Sequence, residues 1–258
     1  MALSNEYRPV SIYADGTKVA EDLRVRIKGS LNMTLFPDFF SIEIYNLPDG
    51  DLNVVENAKV LTVDGEDEYT ICTGEIEDVY IHEEGVNTIT SISVVDGKSF
   101  WMTKVCKSLG GGSDIETTIS NLVQNVKFGG FRATNNRIIR GQTYTGRLAD
   151  SISMLAKSAG GRAFVSKGVL YVVQIGKASE IIEIQPEDVI NDLSYINGAR
   201  IIKTIAKGYP VGAVVRYGGK NYRLVTQKFD LDNYKGDWSS TITVVDEEEI
   251  STEGMVGG

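Results

Sequence analysis

The chain has 258 residues, 42% of them hydrophobic, with 35 acidic against 26 basic side chains and a formal net charge of -9. That length supports a substantial core and about two domains. Duplex binding needs clustered Lys and Arg to displace phosphate counterions, so the acid excess predicts no specific nucleic-acid binding. Plain solubility accounts for such a charge, and a surface that repels nucleic acid is the sharper reading. No apolar run reaches the roughly 18 residues of a membrane helix, so no membrane anchor is expected. Residues 1–13 lack a basic segment followed by an apolar stretch, which predicts no secretory signal and synthesis in the cytoplasm. Cys72 and Cys106 stand far apart, without the spacing of a zinc site, and are expected as two reduced, partly buried thiols.

In chain order, the first third alternates with period two. Residues 22–28 (DLRVRIK) put Leu23, Val25 and Ile27 on one face, and residues 41–47 (SIEIYNL) put Ile42 and Ile44 inward. Further alternating runs at 59–63, 69–81 and 88–95 predict half-buried antiparallel strands of a sandwich or barrel. After Gly110-Gly111-Gly112, the segment Ser113-Asp114-Ile115-Glu116 reads as a capping box with Ser113 as the cap. Ile115, Ile119, Leu122, Val123 and Val126 then recur at helical spacing. A second helix is predicted to start after Thr145 or Gly146, with Leu148, Ile152, Leu155, Ala156 and Ala159 as its apolar stripe and Gly160-Gly161 as its stop. A hairpin follows, 162–166 and 169–174 around Lys167-Gly168. The last third is again strand-like and matches the first. Val60-Leu61 aligns with Val214-Val215, Gly65 with Gly218, Tyr69 with Tyr222, Ile71 with Leu224, Thr73 with Thr226 and Ile76 with Phe229. Ile92, Val94, Val95 and Asp96 align with Ile242, Val244, Val245 and Asp246. The match is either a true internal repeat or the ordinary likeness of two hairpins.

The expected fold class is α+β, mostly β: two small antiparallel tube-like β-barrels with a small α/β segment between them. Residues 1–98 are the first barrel, 99–178 an α/β segment with two helices and a hairpin, 179–246 the second barrel, and 247–258 a flexible acidic tail.

A search for chemistry finds no catalytic constellation, so no catalytic, cofactor-binding or metal residues are assigned and no enzyme is expected. His82, the one histidine, sits beside Glu83-Glu84-Gly85 and reads as a loop residue, since nothing marks a nucleophile. One histidine is too few for a typical catalytic zinc site. The glycine run before the first helix lacks the lysine of a phosphate loop. Glu75 with Glu77, and Asp230 with Asp232, are pairs at strand spacing and read as solvated outer faces rather than a glycosidase site. Asp230, Asp232 and Asn233 lack the order of a calcium loop. Phe100, Trp101, Tyr234 and Trp238 read as core or interface anchors.

Several short motifs resemble those of phage baseplate and tail-hub proteins. Residues 42–47 (IEIYNL) resemble an early strand of the family, Gly74-Glu75-Ile76 the next hairpin, and Ser93-Val94-Val95-Asp96-Gly97 the closing strand and turn of its first barrel. Tyr222-Arg223-Leu224 and Gly236-Asp237-Trp238-Ser239-Ser240 resemble the end of its second barrel, so the likeness runs from about Ser11 to Asp246. The resemblance implies a structural hub joining a six-fold tail tube to a three-fold spike. It implies a homotrimer whose two barrels per chain give six ring positions. The implied partners are a tail-tube or tube-initiator protein, a separate spike protein and baseplate wedge proteins. A spike or lysozyme-like part is not seen in this sequence. The implied location is a virion or tail-like particle, assembled in the host cytoplasm. A hub-like tip protein of a non-contractile tail is an alternative, and a peptidoglycan- or carbohydrate-active domain or a monomeric β binding module are others.

Overall fold

A computed structural model describes residues 7–65, 69–123, 126–133, 135–174, 181–196, 198–234 and 238–246. The tail at 247–258 and the Gly236-Asp237 pair lie outside the described residues.

The first third forms strands β1 (Ser11–Ala14), β2 (Thr17–Val19), β3 (Val25–Asn32), β4 (Asp38–Tyr45), β5 (Val60–Asp64), β6 (Thr70–Glu84) and β7 (Asn87–Asp96), with helix α1 (Asp49–Asn57) between β4 and β5. Period-two alternation has the expected effect: Val25, Ile27 and Leu31 on β3 and Phe40, Ile42 and Ile44 on β4 are buried. The middle third holds α2 (Lys98–Met102), β8 (Lys104–Leu109), α3 (Ile115–Leu122), β9 (Lys127–Arg132), β10 (Gln142–Arg147), α4 (Leu148–Ser158), β11 (Gly161–Ser166) and β12 (Val169–Gln174). The last third holds β13 (Ile181–Glu183), β14 (Val189–Ile196), β15 (Ala199–Ile205), β16 (Val214–Tyr217), β17 (Lys220–Asp232) and β18 (Ser239–Asp246).

The fold is α+β and mostly β, but the barrels do not form as closed units. Among the described residues, one sheet of 13 strands runs β14-β15-β18-β17-β3-β4-β7-β6-β5-β1-β2, with β16 pairing β17 and β13 pairing β16. The reason is the length of β17. Lys220–Arg223 at its start pair β16, while Thr226–Asp232 pair β3, so one strand splices the last third to the first. Neither run's end strands meet to close a ring. The β13–β16 pair is parallel, against an all-antiparallel expectation.

The internal repeat is real in topology. The order β3-β4-β7-β6-β5 recurs as β14-β15-β18-β17-β16, strand for strand in chain order. Both copies carry a bulge at the same place. Ile76 and Asp78 face Val94 and Ser93, skipping Glu77, as Leu224 and Thr226 face Val244 and Thr243, skipping Val225. The sequence alignment of β7 with β18 therefore keeps register. The alignment of β6 with β17 slips by five residues, because Ile76 corresponds to Leu224 and not to Phe229. Hairpins of different turn length share alternation whatever the offset, so the pattern alone cannot fix it.

Buried side chains fall into two clusters. One joins the first and last thirds, from Ile12, Ile27 and Ile42 to Leu224, Ile242 and Val244. The other lies in the middle third, with Ile115, Ile119, Ile152, Leu155, Leu170 and Val172. Helix α3 buries Ile115, Ile119 and Leu122 of the predicted stripe but ends before Val126, and its cap is Asp114, whose carboxylate accepts the Thr117 N–H at 2.7 Å, so Ser113 is one residue too early. Helix α4 begins just past Gly146, and Gly160 turns the chain in the left-handed region at φ +71°.

Candidate functional site

The residues with catalytic potential are dispersed and already engaged. His82 lies within β6 rather than in a loop, opposite Ile89, and stacks on Tyr80 with ring centroids 5.4 Å apart. Glu75 and Glu77 serve the start of α2: Glu75 accepts the Ser99 N–H at 2.9 Å, and Glu77 pairs with Lys98. Asp230 is exposed, but Asp232 is buried, which corrects its reading as a solvated carboxylate. No three metal-ligating side chains gather among the described residues. No helix of the described residues is long and apolar enough to cross a membrane. Cys72 is fully buried, and burial pushes its thiol well up, while Cys106 is exposed on β8.

Asp232 and Asn233 instead pin the splice between the two halves. Asp232 receives Arg24 at 2.6 Å and Arg26 at 3.7 Å, and the Arg24 hydrogen bond is the main influence holding its carboxyl below the usual range against burial. Asn233 accepts the Val25 N–H at 2.7 Å and donates to the Leu23 carbonyl at 3.0 Å. A second tie is Tyr69, whose hydroxyl donates to the Ala206 carbonyl at 3.0 Å. Its ring fills the space beside Gly208, where an added Cβ would lie 2.7 Å from the Tyr69 Cβ.

A buried acid pair lies where the middle third meets the first sheet, and one member bonds across. Asp38 on β4 faces Asp96 on β7, and both are buried. Asp96 accepts the N–H groups of Lys167 and Gly168 at the β11–β12 turn, where both residues have positive φ and present successive donors. Asp38 accepts two donors from Asn32, at 3.0 Å from the backbone and 2.6 Å from the side chain. Burial dominates both acids, pushing Asp38 up to about 7 and Asp96 up to about 6. Lys167 is lowered by the same desolvation.

The exposed features include the β6 and β14 sheet edges and one aromatic patch. On its β5 side, β6 is paired only as far as Glu75, with a last backbone bond from Ile76 to Lys59, leaving residues 78–84 without a strand neighbour there among the described residues. This hairpin exposes Tyr80 at 59% and Val86 at 98%. Strand β14 pairs only β15 and exposes Leu193 at 49%. Arg200 ties β14 to the sheet through Asp192, whose carboxyl is held down by that bond. Elsewhere, Phe36 packs on Trp101 at 4.6 Å with Arg147 over the indole at 4.7 Å, beside exposed Met102. Phe100 and Trp238 are core residues, and Tyr234 is half exposed against Tyr7. The sequence reading missed the free edges, although Tyr80 and Ile81 on the 15-residue β6, with Val86 in the turn after it, stand among acids as a signal of one.

No protein-family model matches the chain. No curated protein matches it either. Solved structures do share its fold. The 43 kDa tail protein of prophage MuSo2 from Shewanella oneidensis aligns at a TM-score of 0.68 and 12% identity, over 93% of this chain and 97% of that one. A tail protein from Neisseria meningitidis MC58 aligns at 0.66 and 11%, over 96% of this chain and 99% of that one. The E. coli c3393 protein is described as a type VI secretion component structurally similar to the bacteriophage T4 tail proteins gp27 and gp5. It aligns at 0.54 and 7%, over 93% of this chain and 74% of that one. This chain thus shares the α+β, mostly β fold of these solved tail proteins.

Proposed function

We propose that the chain is a non-enzymatic structural protein of a phage-like tail, a baseplate hub that forms a homotrimeric ring between a six-fold tube and a three-fold spike. Its division at 98, 178 and 246 is part of that reading: two related sheet units and an α/β segment. One observation carries it. The two halves of the chain join through β17 residues 226–232 and β3, and the counterparts of those two strands are both open to a neighbour. By the bulge register, 226–232 corresponds to 78–84 on β6, and β3 corresponds to β14. Pairing β6 of one protomer with β14 of the next repeats the internal junction between chains. Three chains then supply six similar units, and the ring closes with the β6 and β14 edges of every chain covered. The tube, spike and wedge partners follow from the resemblance and the tail-protein fold, as does a place in a virion or tail-like particle.

The test is an edge mutation. Leu193→Lys places a charge on β14, a device that blocks strand addition. The variant should fold as the parent does and lose trimers in light scattering and cross-linking at high protein concentration. Trimers that persist through both Leu193→Lys and Tyr80→Lys, or a parent that never cross-links beyond a monomer, would overturn the ring.

A further inference from the structure

The polar face of the spliced sheet carries a feature that the fold does not require. Lys203 on β15 and Lys228 on β17 flank Thr241 on β18, directly opposite it in register. Lys28 on β3 lies one diagonal step from Lys228, opposite Asp230. The three lysines share one shallow concavity of about 480 Å³ with Asp230, Ser239 and Thr241. None of the three has an ion-pair or hydrogen-bond partner among the described residues, whereas Lys18, Lys98 and Lys207 are each paired to a carboxylate. A requirement of the fold would recur at the corresponding place in the first half. There Ser91, the counterpart of Thr241, is flanked by Glu43 and Tyr80.

We propose that this concavity is a binding site for a phosphate group. Three ammonium groups against one carboxylate leave a local positive excess on a chain whose net charge is -9. The lining favours a small, multiply charged anion over an apolar one, since Phe229 is buried and the other neighbours are Gly29 and the hydroxyl residues Ser239 and Thr241. Lysine acts as a compact point charge suited to a tetrahedral anion, whereas a planar carboxylate is better matched by arginine, which the site lacks. Asp230 limits affinity, so the bound anion is exchangeable rather than resident.

Pyrophosphate is the probe, titrated into the full chain at low ionic strength and followed by amide chemical shifts, with chloride at matched ionic strength as the control. Saturable shifts should centre on Lys28, Lys203, Lys228 and Thr241. Lys28→Gln with Lys228→Gln should abolish saturation while the remaining spectrum is unchanged, and Asp230→Asn should tighten binding roughly threefold. Shifts that scatter over the surface, that chloride reproduces, or that survive the double substitution would overturn the site. A short single-stranded oligodeoxynucleotide identifies the source. Displacement of pyrophosphate from the same residues assigns a phosphodiester backbone, and undisturbed pyrophosphate assigns a free phosphate anion.

Discussion

Asp38 and Asp96 are the two side chains whose burial runs most directly against their chemistry. Each carboxyl binds its proton more tightly in the folded chain than at its ordinary value of 3.8, with Asp38 near 7 and Asp96 near 6. Between about pH 4 and pH 7 the folded chain therefore holds more protons than the unfolded one, and their contribution to stability falls as pH rises through that window. The expected result is a melting temperature that declines from pH 5.5 to about pH 8. Asp38→Asn should flatten that slope, at the expense of one Asn32 hydrogen bond. An unchanged slope would show that Asp38 is not the titrating group. A second prediction concerns Asn233, which satisfies a buried N–H and a carbonyl of the 23–25 segment. Asn233→Ala leaves both unmatched and should cost about 1–3 kcal/mol in urea denaturation. The roles of these polar residues were not legible in the sequence. Asp96 and Asn233 each act on segments more than 70 positions away, and no local pattern encodes such a partner. The Asp230 and Asp232 pair was visible, and its reading as a solvated face holds at exposed Asp230 but fails at Asp232, which Arg24 and Arg26 reach.

At the scale of elements, periodicity read best where one face meets a core and the other meets water. Strands β3 and β4 and helices α3 and α4 follow from that alternation, since most of their buried residues are the ones at period two or 3.6, whereas β7 and β12 also bury adjacent residues. Helix α1 escaped because Asp49-Gly50-Asp51 reads as a turn and only Val55 in it is buried. The parallel pairing of β9 with β12 escaped because Gly129 and Gly130 break its alternation. Gly129 is dictated by packing, since an added Cβ would lie 2.4 Å from the Tyr171 ring, and so is Gly29 on β3. An added Cβ at Gly29 would sit 2.3 Å from the Phe40 ring and 2.7 Å from the Phe39 carbonyl oxygen. Gly29→Ala must therefore displace Phe40 and strain the β3–β4 pairing that supports the splice. A loss of about 1–3 kcal/mol is expected, measured as an earlier urea midpoint. An unchanged midpoint would mean that Phe40 has room to move.

At the scale of the molecule, the repeated strand order ties the internal junction to the proposed assembly, and the two make a joint prediction. The proposed contact is head to tail, because β6 of one chain meets β14 of the next, and neither edge meets its own kind. An isologous dimer would use one patch twice, so a single edge substitution would damage both sides of the same contact. In the head-to-tail ring, Tyr80→Lys blocks one edge and leaves β14 intact, while Leu193→Lys does the reverse. Each variant alone should be monomeric. Mixed in equal amounts they retain one compatible pairing, the open β6 of the Leu193→Lys chain with the open β14 of the Tyr80→Lys chain. The mixture should therefore yield heterodimers and stop there, since the dimer's two remaining edges are both blocked. Sedimentation of the mixture against each variant alone reads this directly. A mixture that stays monomeric would break the link between the internal splice and the subunit contact, and one that regains trimers would show that these edges do not form it.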